Sequence, residues 1–275
     1  MKQTLTTRTI DDFGDQWTRY TNNEGYYGSS DLLADVFGPL LAPEVLKGKK
    51  VLEIGSGTGR IVHMLLAAGA THVTAVEPSR AMSVLKENTL PSAERITYLH
   101  CRGEELPADP PQDFVVSIGV LHHIPEPQPV IAAAYRILKP SGKIVIWLYG
   151  WEGNGSYLSV ILPIRTVTTR LPHFLLSPIC HGLNLLLAGY IGLAKHFPVP
   201  LRRYMTEVLG RFSTSKRYLV VYDQLKPAYA KYYKEYEVRK LLEDTGFEDV
   251  KLYHRHGYSW TAVASKNPDH VGPLI

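Results

Sequence analysis

Between Lys49 and Gly150, short apolar runs alternate with stretches whose apolar residues recur at helical spacing, the pattern of a parallel sheet covered by helices. The runs Val51 to Ile54, His72 to Glu77, Arg95 to His100, Phe114 to Gly119 and Lys143 to Tyr149 are nearly continuous hydrophobics, as strands buried on both faces are. Between them, Arg60 to Ala68 keeps a helical period up to Gly69, and Ser79 stands as N-cap before a helix over Ala81 to Asn88. Five βα units are therefore expected. Further on, a helix near Tyr236 to Asp244 stops at Gly246. Two strand candidates follow, Phe247 to Tyr253 and Tyr258 to Ala264, with a turn at His256-Gly257.

The flanks read differently. Residues 10 to 46 are rich in Trp17, Tyr20, Tyr26, Tyr27 and Phe37 and suggest helices packed over the sheet. From Tyr157 to Phe197 the chain is strongly apolar and is punctuated by Pro163, Pro172, Pro178 and Pro198, which predicts several short helices. The implied organisation is a helical cover over 1–46, a core over 47–150, an inserted helical segment over 151–212 and a completion of the core sheet over 213–275. At 275 residues this is one large embellished domain, and 45% hydrophobic with 20% charged residues exclude a disordered chain.

Charge sharpens the picture of the insertion. The net charge of +4 is modest, yet from Gly153 to Thr206 there is no acid, while Arg165, Arg170, Lys195, Arg202 and Arg203 are all positive. Two cysteines, Cys101 and Cys180, make neither a disulfide framework nor a closed zinc site, and the N-terminus lacks the apolar core of a signal peptide. A reducing, cytoplasmic setting is expected. No His, Cys and carboxylate spacing resembles a metal-ligand set, and no basic array interleaved with aromatics suggests nucleic acid.

The chemistry concentrates at the end of the first strand. Glu53-Ile54-Gly55-Ser56-Gly57-Thr58-Gly59-Arg60 opens a helix, where glycines allow a tight turn and the helix N-terminus offers unpaired N–H groups to an anion. Its G-x-G-x-G spacing differs from the G-x-G-x-x-G of a pyrophosphate binder. Glu77, about 20 residues on, ends the second strand, where a carboxylate can accept two ribose hydroxyls. A plain helix-capping acid is the alternative for Glu77.

With VLEIGSGTGR at 51–60, VTAVEPS at 73–79, GEELP at 103–107, DFVVSIGVLHHI at 113–124 and RILKPSGKIVIW at 136–147, the chain resembles the class I S-adenosylmethionine-dependent methyltransferases. The resemblance implies a Rossmann-like α/β sheet of seven strands, the seventh antiparallel beside the fifth, with helices on both faces. It implies S-adenosylmethionine as cofactor, with Gly55, Ser56, Gly57 and Gly59 beneath its methionine part and Glu53 near its ammonium. Glu77 and Pro78 would border the ribose, Gly103 and Glu104 the adenine, and Ser117-Ile118 the sulfonium. Arg102 stands where many relatives have an Asp before the adenine loop, so Glu104 or backbone would read the amine.

Methyl transfer asks chiefly for positioning, and an oxygen or nitrogen acceptor also needs a base. The candidates are Asp223, after the apolar run Tyr218 to Tyr222, then His122 or His123, and His254 or His256. His254, His256 and Tyr258 share one face if their strand is regular. Nine of the 17 tyrosines lie between Tyr204 and Tyr258, and Tyr27, Tyr222 and Tyr229 are candidate acceptor contacts; Tyr229 to Tyr236 at helical spacing also suits plain packing. The expected acceptor is a small molecule, a glycan or a lipid-linked precursor. The insertion over 156–203 is expected to be a helical lid, with peripheral membrane contact as the second reading. A dinucleotide-dependent oxidoreductase and a non-catalytic membrane-associated cofactor binder are the alternatives of other classes.

Overall fold

The computed structural model describes residues 2–267, so the last eight residues of the expected C-terminal segment, and Met1, lie outside the described residues. Seven strands form one sheet: β1 (Lys50–Ile54), β2 (His72–Val76), β3 (Ile96–Leu99), β4 (Gln112–Ile118), β5 (Leu138–Tyr149), β6 (Phe247–Arg255) and β7 (Ser259–Lys266), in the order β3-β2-β1-β4-β5-β7-β6. Strands β1 to β5 pair in parallel, and β7 runs antiparallel between β5 and β6. This is the expected Rossmann-like sheet.

Side-chain alternation along the strands divides the core into two layers. Val51, Val73, Val116, Val145 and Val263 join the cluster on one face, with α2 (Ser30–Phe37) and α3 (Arg60–Ala67). Leu52, Val115, Ile144, Ile146 and Ala262 point to the other face, toward α5 (Gln128–Ile137) and α9 (Glu235–Glu243). The helix α4 (Met82–Asn88) begins beyond Ser79, whose Oγ accepts from the Ala81 N–H at 3.1 Å. The crossover from β3 to β4 contains only the short 3-10 turn Gly103–Glu105, so the five βα units expected are one helix short. Pro107, Pro110 and Pro111 lie in this connection and suppress a helix there.

The N-terminal cover is the long helix α1 (Lys2–Arg19) with α2. The insertion departs from expectation. Instead of several short helices it forms α6 (Gly155–Thr168) and the 24-residue α7 (His173–His196), which run through Pro163 and Pro178. An interior proline costs about 3 kcal/mol of local helix stability. Packing outweighs it: Leu158, Ile161, Leu176 and Cys180 are buried with Tyr218, Leu219 and Tyr222 of α8 (Thr214–Leu225) in a third core cluster. Arg165, counted among the positive charges of the insertion, turns inward and donates to the carbonyls of Gln224 and Pro227. The tyrosine-rich stretch after α8 is extended rather than helical, because Tyr233 bridges to Gly150 and the Lys231 N–H donates to the His122 carbonyl.

One ion-pair network fastens the N-terminal cover to the far edge of the sheet. Arg255 on β6 is only 2% exposed, and its Nε donates to Asp35 Oδ2 on α2 at 3.0 Å, while His256 Nε2 lies 2.7 Å from Asp35 Oδ1. Burial opposes ionisation of Asp35, but the His256 hydrogen bond and the Arg255 charge outweigh it and hold the carboxyl below its ordinary value. Its stabilising contribution is therefore present above the ordinary carboxylate range and is lost as pH falls through the lowered value. Replacing Asp35 with Ala leaves a buried guanidinium unpaired and should cost about 3 to 5 kcal/mol. Urea unfolding at pH 7 measures it, and a loss below about 1 kcal/mol would show that the network is dispensable.

Candidate functional site

The turn after β1 is built on left-handed backbone. Gly55 has φ +79° and Gly57 φ +51°, and a Cβ at Gly55 would stand 2.4 Å from Val120 Cγ2. Neither position accepts a side chain without strain. The Gly57 N–H donates to Glu77 Oε2 at 2.8 Å, and Glu77 Oε1 accepts from the Ser79 N–H at 2.9 Å. Both oxygens of Glu77 thus bind backbone, joining the glycine turn to the end of β2, and each keeps a second lone pair.

Beside this turn is a buried acid with one unsatisfied oxygen. Glu53 is 1% exposed, and its Oε2 has no hydrogen bond among the described residues. Burial pushes its carboxyl up to about 8 against the opposing effects of a Ser56 hydrogen bond and the Arg60 charge, so at neutral pH it is largely protonated. An unsatisfied carboxyl oxygen in a buried wall is costly, and a cationic ligand group relieves the cost.

A cavity of about 560 Å³ runs from the glycine turn to the inserted helices. Glu53, Gly55, Ser56, Gly57, Glu77, Pro78, Gly103, Glu104 and Ile118 line one end. The other end is aromatic and aliphatic, with Tyr149, Tyr157, Ile161, Tyr204, Tyr232 and Tyr258 in its wall. Helix α1 closes the side: Phe13 and Trp17 line the cavity, and the Trp17 indole nitrogen stands 3.3 Å from where a Gly57 Cβ would be.

Asp223 of α8 and Tyr27 also line the cavity. The Asp223 carboxyl is raised to about 7 by burial, against the opposing effects of its hydrogen bond from Gln16 Nε2 and the nearby Arg60 charge. A carboxyl poised near neutrality in a largely apolar cavity suits proton transfer. His123 lines the cavity too, its Nδ1 2.7 Å from the Tyr229 carbonyl; burial drives it down to about 3, so the ring is neutral and Nδ1 is the donor.

Six expected site residues lie elsewhere. Gly59 turns toward Thr89 and Leu85 in the core, and Ser117 is buried inside β4. His122 is fully buried, stacks on Tyr149 at 3.8 Å, and has neither ring nitrogen hydrogen-bonded among the described residues. Tyr222 meets His173 across the inserted helices, and Tyr229 offers only its carbonyl, to His123. His256 belongs to the Asp35 network outside the cavity, and it does not share a face with His254 and Tyr258. The strand ends at Arg255, His256 takes φ +49° in the turn, and His254 stacks on Trp260 at 4.3 Å.

Residues 52–146 match a family described as "Methyltransferase domain". That match covers about a third of the chain and, with the Rossmann-like sheet, supports the class I S-adenosylmethionine-dependent type of methyltransferase. It is 34% identical over 130 residues to a ubiquinone biosynthesis O-methyltransferase of Aromatoleum aromaticum, a match covering 46% of this chain and 55% of that one. The chain thus spans about half the length of the curated relatives it matches. Its fold is similar to magnesium protoporphyrin IX methyltransferase from Synechocystis PCC 6803, with TM-score 0.51 and 16% identity over 92% of this chain and 90% of that one. It is also similar to human N-acetylserotonin methyltransferase, with TM-score 0.50 and 14% identity over 88% and 52% of the two chains.

The cofactor of that methyltransferase type is S-adenosylmethionine, and the unsatisfied oxygen of Glu53 suits its ammonium group. The cavity wall also holds residues that the sequence did not single out for the site, among them Phe13, Tyr149, Tyr204 and Arg255, and Gln16 buttresses Asp223 from behind it. Phe13 and Gln16 lie on a helix whose signal in the sequence was its richness in aromatic residues, while Tyr149 lies in a strand that reads as core.

Because Glu53 is largely protonated when no ligand faces it, binding of an ammonium should release close to one proton per site at pH 6.5. The free protein should correspondingly lose stability as pH rises from the ordinary carboxylate range through about 8, the direction for a raised carboxyl. Titration calorimetry with S-adenosylhomocysteine in buffers of different ionisation enthalpy reads the release. Glu53→Gln should abolish it, and an unchanged release in that variant would assign the proton to another group.

Proposed function

We propose that the protein transfers a methyl group from S-adenosylmethionine to an oxygen of an apolar small-molecule acceptor. The observation that carries this reading is Asp223, a carboxyl at about 7 in the same cavity as the glycine turn and the half-satisfied Glu53. When bound, the cofactor supplies a methyl group on a positively charged sulfur. Glu53 would hold its ammonium, Gly55, Ser56 and Gly57 would border its methionine part, and the free lone pairs of Glu77, beside Pro78, would take the ribose hydroxyls. Gly103, Glu104 and Ile118 would frame the remaining end.

The aromatic wall would position the acceptor ring or chain, and enclosure supplies the attack geometry that bimolecular encounter lacks. An acceptor hydroxyl facing Asp223 would give its proton to the carboxylate as its oxygen takes the methyl. Gln16 holds that carboxylate in place. A relative acting in ubiquinone biosynthesis as an O-methyltransferase supports an oxygen acceptor. A glycan fits less well, because the acceptor end is walled mainly by aromatic and aliphatic side chains.

Asp223→Asn should lower kcat by about 10² to 10⁴ while leaving cofactor affinity unchanged. The kcat/KM profile of the unaltered protein should rise with pH through about 7 and become flat in the variant. The assay is S-adenosylhomocysteine formation with a panel of lipid-soluble phenols and of soluble sugars. Full activity in the variant removes the base, and turnover of sugars alone removes the apolar acceptor. A protein stabilised by S-adenosylhomocysteine but inert toward every acceptor would be a non-catalytic cofactor binder.

A further inference from the structure

Helix α7 has no polar face. Its inward stripe, Leu176, Cys180, Asn184, Ile191 and Ala194, is buried against the rest of the fold, as a helix of a globular protein requires. Its outward stripe should then be polar. It is instead Phe174, Leu175, Ile179, Leu185, Leu186 and Leu193, with Leu185 75% and Leu186 71% exposed. Only 22% of its most apolar 18-residue window is buried, and among the described residues it is the one helix long and apolar enough to cross a membrane. Crossing would tear the inward stripe from its packing, including the Asn184 Nδ2 hydrogen bond to the Thr214 carbonyl at 2.9 Å. The geometry therefore lets α7 lie along a bilayer surface over about 36 Å.

Charge indicates which surface. The outward stripe is rimmed by Arg170 before α7 and by Lys195 and Arg202 at its other end, in a segment without a single acid from Gly153 to Thr206. Cations flanking an apolar face match anionic headgroups, each worth roughly a further factor of five in partitioning. On the neighbouring α6, Val160 is 61% exposed and Ile164 37% exposed, and both also line the cavity. The acceptor cavity and the apolar outer face therefore meet at α6.

We propose that the α6–α7 face docks on an anionic lipid bilayer and that a lipid-soluble acceptor enters the cavity from that side, past Val160 and Ile164. The entry route rests on the apolar-acceptor reading above; the docking does not. Val160 and Ile164 are both exposed and both line the cavity, so the route needs no opening of the sheet. Arg170, Lys195 and Arg202 would meet the headgroups while Leu185 and Leu186 enter the acyl boundary.

The test is co-sedimentation of the full chain with vesicles of phosphatidylcholine containing about a third phosphatidylglycerol, at low and high salt. Binding is expected, with weaker binding to pure phosphatidylcholine and partial release as salt rises. Leu185→Glu with Leu186→Glu should reduce partitioning by about tenfold or more, since burial of each leucine is itself worth about that factor. Neither residue lines the cavity, so the double variant should keep its stabilisation by S-adenosylhomocysteine, which shows that it has folded. Absence of sedimentation at low salt overturns docking. So does a double variant that still binds vesicles as the parent does, and so does a parent that leaves vesicles alone but dimerises through this face. If docking holds but vesicle-embedded phenols are methylated no faster than dispersed ones, the entry route fails; if no phenol is methylated under any condition, the acceptor reading fails instead.

Discussion

The hydrogen bond from the Gly57 N–H to Glu77 Oε2 joins the ends of two adjacent parallel strands, and the geometry of the whole site depends on it. Together with the Gly55 and Ser56 N–H groups, which donate to the Val76 carbonyl at 2.8 and 2.9 Å, it fixes the loop after β1 against the end of β2. The bond requires positive φ at Gly55 and Gly57, so that the amide turns toward β2. It also requires a carboxylate at the last position of that strand region. The Ser79 N–H completes the pair, so Glu77 both starts the next helical segment and carries the loop. The capping role and the ligand-facing role of this acid, which looked like alternatives, are compatible because each carboxylate oxygen accepts more than one donor.

Two acids in the cavity are held away from their ordinary charge state by the same cause. Burial raises Glu53 to about 8 and Asp223 to about 7, and neither has a cation close enough to restore the ordinary value. Both therefore cost stability as pH rises from the ordinary carboxylate range through those values. Elsewhere in the fold the opposite arrangement prevails, with Asp35 and Asp113 held low by Arg255, His256 and Lys139. Asp35 and Asp113 are ion-paired for the architecture, whereas Glu53 and Asp223 face the cavity without an ion pair among the described residues.

The helical layer formed by α6, α7 and α8 resolves a conflict between local and tertiary preference. Pro163 and Pro178 would each end a free helix, yet both helices continue because one side is stapled to α8 by Tyr218, Leu219 and Arg165. That staple consumes only one side of α7. The remaining side is apolar and has no partner among the described residues, which is why the layer reads both as cavity wall and as outer surface.

The sequence by itself determined the parallel strands, the final pair of strands and the glycine turn, because hydrophobic period and turn glycines are local properties, while the antiparallel place of the last strand and the part given to Glu53 came from the family resemblance. It misjudged the inserted helices and the extended stretch after α8, where long-range packing and the Tyr233–Gly150 bridge override local propensity. It also could not separate His122 from His123, which are adjacent in the chain, yet one is sealed in the core while the other lines the cavity. Which residues from α1, α6, α8 and the β6–β7 hairpin share a wall was decided by tertiary structure alone, because side chains far apart in sequence meet only once the sheet has set the distances between their elements.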